Sequence, residues 1–313
     1  MKKKSSLIVI SNTVIFFTIL QISLGALVRL TGSGLSCPDW PLCYGFIFPN
    51  HQNLSQIGEL DYTLFQIYLE WVHRFNGGVI IGVLMIVLLY FAKLNSKNFN
   101  TLWKTSIFCF ILLILQGLLG ATTVLDSNSP SSVAIHLFNA MLFLGFIIRI
   151  RLLIEPKLLK GKKFPVQLLI YIILILFLIS LTAVSGAIMS KSGASLACNS
   201  WPLCDGVSLP SLSNYMEVIH FIHRIFVLFL GMFIIILYIQ SKKLKLSEKD
   251  TYAVFEKFSV ILFFVQVGIG SLVIFMELPI WLGVLHQFIA IIIYSAIFTM
   301  GWIAYSRLKF NYK

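Results

Sequence analysis

Four histidines recur in this chain at one repeated interval: His73 and His136 are 63 residues apart, and so are His223 and His286. Each lies in a strongly apolar stretch, where an ionisable side chain is costly and usually faces a protein interior or a functional cavity. Two histidines on different helices, facing across a bundle, can supply axial nitrogens to a heme iron from opposite sides. The plainer reading is four separate interhelical hydrogen bonds, but duplicated spacing favours a paired role. Zinc fits less well, because two histidines per half fall short of a usual four-coordinate structural site.

Other reactive side chains cluster around these pairs. Glu70 lies three residues before His73, shares its helical face, and as a carboxylate beside a bound substrate can move protons; otherwise it is a solvated helix-end residue. The equivalent place before His223 is taken by His220. This asymmetry suggests chemistry in the first half and a permanent cofactor in the second. Arg74 and Arg224 follow the first histidine of each pair. Near an interface they can pair with heme propionates or simply snorkel. Cys37 and Cys43, like Cys198 and Cys204, form Cys-x5-Cys loops able to close small disulfide rings. Such a ring is either a structural staple or an exposed redox pair. Cys109 stands alone in an apolar run and reads as a packing residue.

Positioning these groups requires membrane helices. With 58% hydrophobic and 12% charged residues in 313 positions, a soluble domain would expose large apolar patches. Eight apolar runs are near 7-30, 71-92, 104-125, 133-153, 166-189, 217-240, 257-276 and 281-304, each long enough to cross a bilayer core as a helix. Stretches apolar on every face, such as 168–179, exclude the alternation of a transmembrane barrel. The first run lacks a small-residue cleavage site and reads as a retained helix. The net charge of +12 reflects topology rather than nucleic-acid binding. All 24 basic residues except Arg29, Arg74, Lys191 and Arg224 fall in alternate loops or at the termini, which places both termini in the cytoplasm and the cysteine loops outside.

The chain also repeats itself. Trp40-Pro41-Leu42-Cys43 returns as Trp201-Pro202-Leu203-Cys204, an offset of 161 that also pairs Gly25 with Gly186 and Gly32 with Gly193. After a longer first outer loop the offset becomes 150, pairing His73-Arg74 with His223-Arg224, Gln116 with Gln266, Gly120 with Gly270 and His136 with His286. The expected fold is therefore all-α: eight transmembrane helices in two pseudo-symmetric parallel four-helix bundles, residues 1–160 and 161–313.

The run from Gly25 through Pro41, the segment Glu70-Trp71-Val72-His73-Arg74, the segment Gln116-Gly117-Leu118-Leu119-Gly120-Ala121 and the histidine pairs together resemble the heme A synthase family over nearly the whole chain. The resemblance implies oxidation of the C8 methyl of heme O to the formyl of heme A by successive hydroxylations with water-derived oxygen. It implies that His73 and His136 serve the substrate heme, that Glu70 is the essential carboxylate, and that His223 and His286 ligate a heme b relaying electrons away. It also implies that Cys37 pairs with Cys43 and Cys198 with Cys204. His220 opposite Glu70 departs from the pattern as a third histidine near the cofactor. Implied partners are heme O, a membrane electron acceptor, heme O synthase or cytochrome oxidase assembly proteins, and a second copy of the chain; the implied location is the cell's inner or plasma membrane. The rival reading is a two-heme electron carrier between a quinone and the outer thiols. A transporter would account for the repeat but not for the histidine spacing.

Overall fold

The computed structural model describes residues 2–95, 100–204, 210 and 212–309. Lys97 and Lys313, and the side chains of Lys2 and Lys3, lie outside the described residues. Eight long apolar helices account for the apolar runs: α1 (Lys2–Leu30), α2 (Leu64–Leu94), α3 (Asn100–Leu125), α4 (Pro130–Ile154), α5 (Val166–Lys191), α6 (Tyr215–Leu244), α7 (Thr251–Phe275) and α8 (Ile280–Lys309). Each is long and apolar enough to cross a membrane, at about 1.5 Å of rise per residue. The chain is an all-helical, multi-pass membrane protein.

The helices outrun the hydropathy pattern. α2 begins at Leu64 rather than near 71, because Thr63 and Gln66 form a capping box that starts the helix in a polar stretch. Gln66 then reaches back to donate to the Thr31 carbonyl, 3.1 Å away, tying the start of α2 to the end of α1. α1 and α5 both run out at a glycine with positive φ, Gly32 at 69° and Gly193 at 75°, a backbone region that an L side chain rarely enters. Within α2, Asn76–Ile80 form a π turn that starts three residues after His73, a local widening found mostly at functional sites.

The helices pack in neighbouring pairs. In the first half, α1 meets α2, α2 meets α3, α3 meets α4 and α4 returns to α1; in the second, α5, α6, α7 and α8 meet in the same cyclic order. Three pairs join the halves: α4 with α5, α1 with α8, and α4 with α8. The core lies along this seam, where Met141, Leu144, Ile172, Ile297, Met300 and Ile303 are nearly or fully buried. Gly145 permits the close approach of α4 to α8, since a Cβ there would sit 2.6 Å from Phe298 Cε2. Outward-facing side chains such as Phe16, Phe177 and Phe264 are exposed and apolar, as lipid contact requires.

At the end opposite the cysteine loops, Arg307 is 2% exposed. It donates to Leu159 O at 3.1 Å, to Lys160 O at 2.5 Å and to Asp250 Oδ1 at 3.0 Å, binding α8 to the α4–α5 connection and to the start of α7. Replacing it with Met strands three acceptors, and losing one partner of a buried pair costs about 3–5 kcal/mol. Arg307→Met is therefore expected to lower the thermal unfolding temperature of the solubilised protein. An unchanged transition would contradict this role.

Candidate functional site

Each of the four histidines rests against a glycine on the preceding long helix. A Cβ at Gly25 would lie 3.2 Å from His73 Cε1, at Gly120 3.4 Å from His136, at Gly186 3.1 Å from His223 and at Gly270 3.0 Å from His286. A larger residue at Gly25, Gly186 or Gly270 would press on the imidazole, while at Gly120 a Cβ would just reach van der Waals contact, so the glycines let each ring seat closely. Nδ1 of His73, of His136 and of His286 is buried without a hydrogen-bond partner; His223 Nδ1 is 3.0 Å from Ser185 Oγ.

One turn before three of these glycines stands a glutamine that grips the histidine helix. Gln21 Nε2 donates to His73 O at 2.9 Å, Gln116 to His136 O at 3.1 Å and Gln266 to His286 O at 2.9 Å. In the first half the same amides also lie 3.3 Å from His73 Nε2 and 3.1 Å from His136 Nε2. There each glutamine is held by an asparagine one turn beyond its histidine: Asn76 Nδ2 donates to Gln21 at 2.7 Å and Asn139 Nδ2 to Gln116 at 2.6 Å. Phe226 and Ile289 occupy the corresponding second-half positions, and Gln266 Oε1 is left without a partner. The first pair is thus more tightly framed by polar groups.

His73 and His136 face one cavity of about 620 Å³, walled also by Glu70, Arg74, Arg29 and the glycine surfaces of α1, α2 and α3. That volume falls within the range of small-molecule and cofactor pockets. Its upper wall is not purely first-half, because Lys191 of α5 and Gln287 of α8 reach into it. Among the described residues no three His, Cys, Asp or Glu side chains converge as a metal cluster.

Glu70 and His220 turn out to be equivalent anchors of the cysteine loops. Besides bordering the cavity, Glu70 is held by the first loop: Oε2 accepts from Cys37 N at 2.8 Å and Ser36 Oγ at 3.0 Å, while Oε1 pairs with Arg74 at 2.7 Å. Arg74 in turn donates to the carbonyls of Cys37, Asp39 and Leu42. In the second half Arg224 donates to Cys198, Ser200, Pro202 and Leu203 carbonyls, and its Nη2 is 3.1 Å from His220 Nε2. A guanidinium only donates, so His220 Nε2 accepts and its Nδ1 donates to Ala194 O at 3.1 Å. Both ring nitrogens of His220 are therefore engaged, and it is not a spare ligand. The arginines spend most of their donors on these loops rather than on the pocket, although Arg74 still reaches the cavity wall.

Both cysteine pairs form disulfides, Cys37–Cys43 and Cys198–Cys204, and all four cysteines are essentially inaccessible, at 0–1% exposure. Cys109 is free and buried, a packing position as its apolar surroundings imply. The sequence reading passed over Gln21, Asn76 and Asn139. A signal was present: Gln-x3-Gly recurs at 21–25, 116–120 and 266–270, and His-x2-Asn at 73–76 and 136–139.

A family model described as cytochrome oxidase assembly protein, COX15-CtaA, matches residues 9–298. The chain is 29% identical over 308 residues to a protein named heme A synthase from Alkalihalophilus pseudofirmus, covering 94% of this chain and 95% of the relative. It is 28% identical to one of the same name from Flavobacterium psychrophilum, covering 94% and 96%. A third, from Shewanella oneidensis, is 31% identical over 63% of this chain and 61% of its own.

The loop anchors make a direct prediction. Arg74→Ala removes the donors that gather the carbonyls of the first loop, so reduction of Cys37–Cys43 by a small thiol should accelerate several-fold, while Cys198–Cys204 keeps its rate. Equal rates for mutant and parent would show that the loop does not depend on Arg74.

Proposed function

The chain belongs to the COX15-CtaA family of cytochrome oxidase assembly proteins, and from that membership we propose that it is a heme A synthase, oxidising the C8 methyl of heme O to a formyl group. The oxygen would come from water through successive hydroxylations, and a heme b held by His223 and His286 in the second half would supply the electron-accepting redox chemistry. The single observation that carries the reading is the cavity that brings His73, His136 and Glu70 to one wall-bounded space, in a chain whose relatives bear the name heme A synthase along nearly their whole length.

In this reading residues 1–160 bind the substrate and residues 161–313 the cofactor, as two pseudo-symmetric four-helix bundles related by an axis along the membrane normal. The cyclic order of packed helices, the same in each half, supports it. His73 and His136 hold the substrate iron, with Gln21–Asn76 and Gln116–Asn139 fixing their helices. Among the described residues Glu70 is the only carboxylate on the cavity wall. It accepts the proton released as a water or a hydroxylated intermediate is consumed. Arg74 and the Cys37 N–H orient it before substrate arrives. Arg74, and Arg224 in the second half, are candidates for one further contact each, to a propionate.

The second pair suits a resident bis-histidine heme: both rings are seated on glycine, and His286 keeps a buried nitrogen without a partner. Bound between His223 and His286, heme b supplies one-electron redox chemistry. The disulfides serve as staples, since buried sulfurs exchange poorly with external thiols; this weighs against the electron-carrier reading. The basic residues at one end of the bundle support a plasma-membrane protein with cytoplasmic termini and outer cysteine loops. Its partners are heme O, a membrane electron acceptor, the enzyme that forms heme O or other oxidase-assembly proteins, and further copies of itself.

The test is incubation of the purified protein with heme O, followed by extraction and mass analysis. The parent should yield heme A. Glu70→Gln should lose conversion by roughly 100-fold or more, in line with removal of a positioned acid-base group, while retaining bound heme. Near-normal conversion would remove Glu70 from the mechanism. Redox cycling with no change in porphyrin mass would establish the carrier instead.

A further inference from the structure

The cavity has a cationic rim that its loop-bound arginine does not account for. On α1, Gln21, Gly25 and Arg29 follow at four-residue intervals, so they lie along one helical face. Gln21 grips the His73 helix, Gly25 seats the ring, and Arg29 stands one turn further toward the cysteine loops, on the cavity wall. Its guanidinium makes one hydrogen bond, to Gln287 Oε1 at 2.6 Å, and its Nε is buried without a partner. Gln287 is itself held by donating to Ile22 O at 2.9 Å. Lys191, from the end of α5, borders the same cavity. Among the described residues neither cation has a carboxylate partner.

Uncompensated positive charge at the end of an apolar span is costly and is best offset by an anion in the cavity. The other three helices that seat a histidine carry no cation at this position: the residues four past Gly120, Gly186 and Gly270 are Val124, Ser190 and Ile274. The feature is therefore specific to the first cavity and is not inherited from the repeat.

We propose that Arg29 and Lys191 form the carboxylate-binding end of the first cavity, taking the propionates of the porphyrin substrate, with Gln287 holding Arg29 in place. This rests on the reading of the cavity as a porphyrin site and goes beyond it in two ways. It fixes the direction in which the substrate lies, propionates toward the cysteine-loop end. It also makes the substrate site a product of both halves: Lys191 and Gln287 belong to the second, and Gln287 is the chain neighbour of His286.

The experiment is a spectral binding titration of the purified full-length protein with ferric protoheme and, separately, with its dimethyl ester. First-cavity uptake is defined as the part lost in His73→Ala. The parent should bind the free acid roughly 10- to 100-fold more tightly than the ester, the range of one to two charged hydrogen bonds. Arg29→Gln should weaken acid binding by a similar factor and leave ester binding unchanged, with Arg29→Lys recovering part of the loss. Equal affinity of the parent for acid and ester would overturn the proposal even if the Arg29 variants do not fold. Acid binding unaffected by Arg29→Gln would also overturn it. If the parent shows no uptake sensitive to His73, the porphyrin reading itself fails, an outcome distinct from both.

Discussion

A histidine ring packed onto bare helix backbone is the contact on which the arrangement of this protein turns. An imidazole buried between two membrane helices needs room that a side chain on the facing helix would fill, and at Gly25, Gly120, Gly186 and Gly270 the facing helix has none. The helix pairs α1–α2, α3–α4, α5–α6 and α7–α8 can thus close around their rings. The four-helix cycle of each half brings two such pairs together, and two cycles packed along α4 and α8 make the whole molecule. In a membrane, where hydrophobic driving force between helices is weak, close packing at small residues and interhelical hydrogen bonds carry much of the association. The glutamines one turn before three of the four glycines supply those hydrogen bonds at the same place.

On this shared frame the halves diverge at a few side chains. The first adds Asn76 and Asn139 behind its glutamines, Glu70 on the cavity wall and Arg29 at its rim; the second has Phe226, Ile289, His220 and Ser190 in those places. A framed pocket with charged groups suits a ligand that is bound, altered and released. A simpler pair of seated rings suits one that stays. Glu70 and His220 also share a structural task, since each accepts from the arginine one turn on that gathers the adjacent disulfide loop. The acid in the first half therefore belongs to the loop anchor as well as to the cavity, and it joins the cysteine loop to the cavity wall.

Much of this was legible in the amino-acid order because membrane helices and duplication leave periodic marks. Apolar runs long enough to span mark the eight helices, the offset of 161 pairs the cysteine loops and the offset of 150 pairs the histidines. The true start of α2 escaped because Thr63, Gln66 and Glu70 are polar, and hydropathy reports lipid contact rather than backbone hydrogen bonding. The loop-gathering contacts of Arg74 and Arg224 escaped for a related reason: loop carbonyls carry no residue-type signature, so a side chain that binds them resembles one free to bind a ligand. The cross-half reach of Lys191 and Gln287 into the first cavity depends on how two bundles dock, which no local pattern encodes.

The claim at the centre of this account is that the two histidine pairs do different work, and it is tested most directly by extracting and identifying the hemes bound to His73→Ala and His223→Ala proteins before and after supply of heme O. The account predicts that His73→Ala retains resident heme b but produces no heme A, whereas His223→Ala loses the resident heme. Loss of resident heme from the His73 variant with retention in the His223 variant would contradict it.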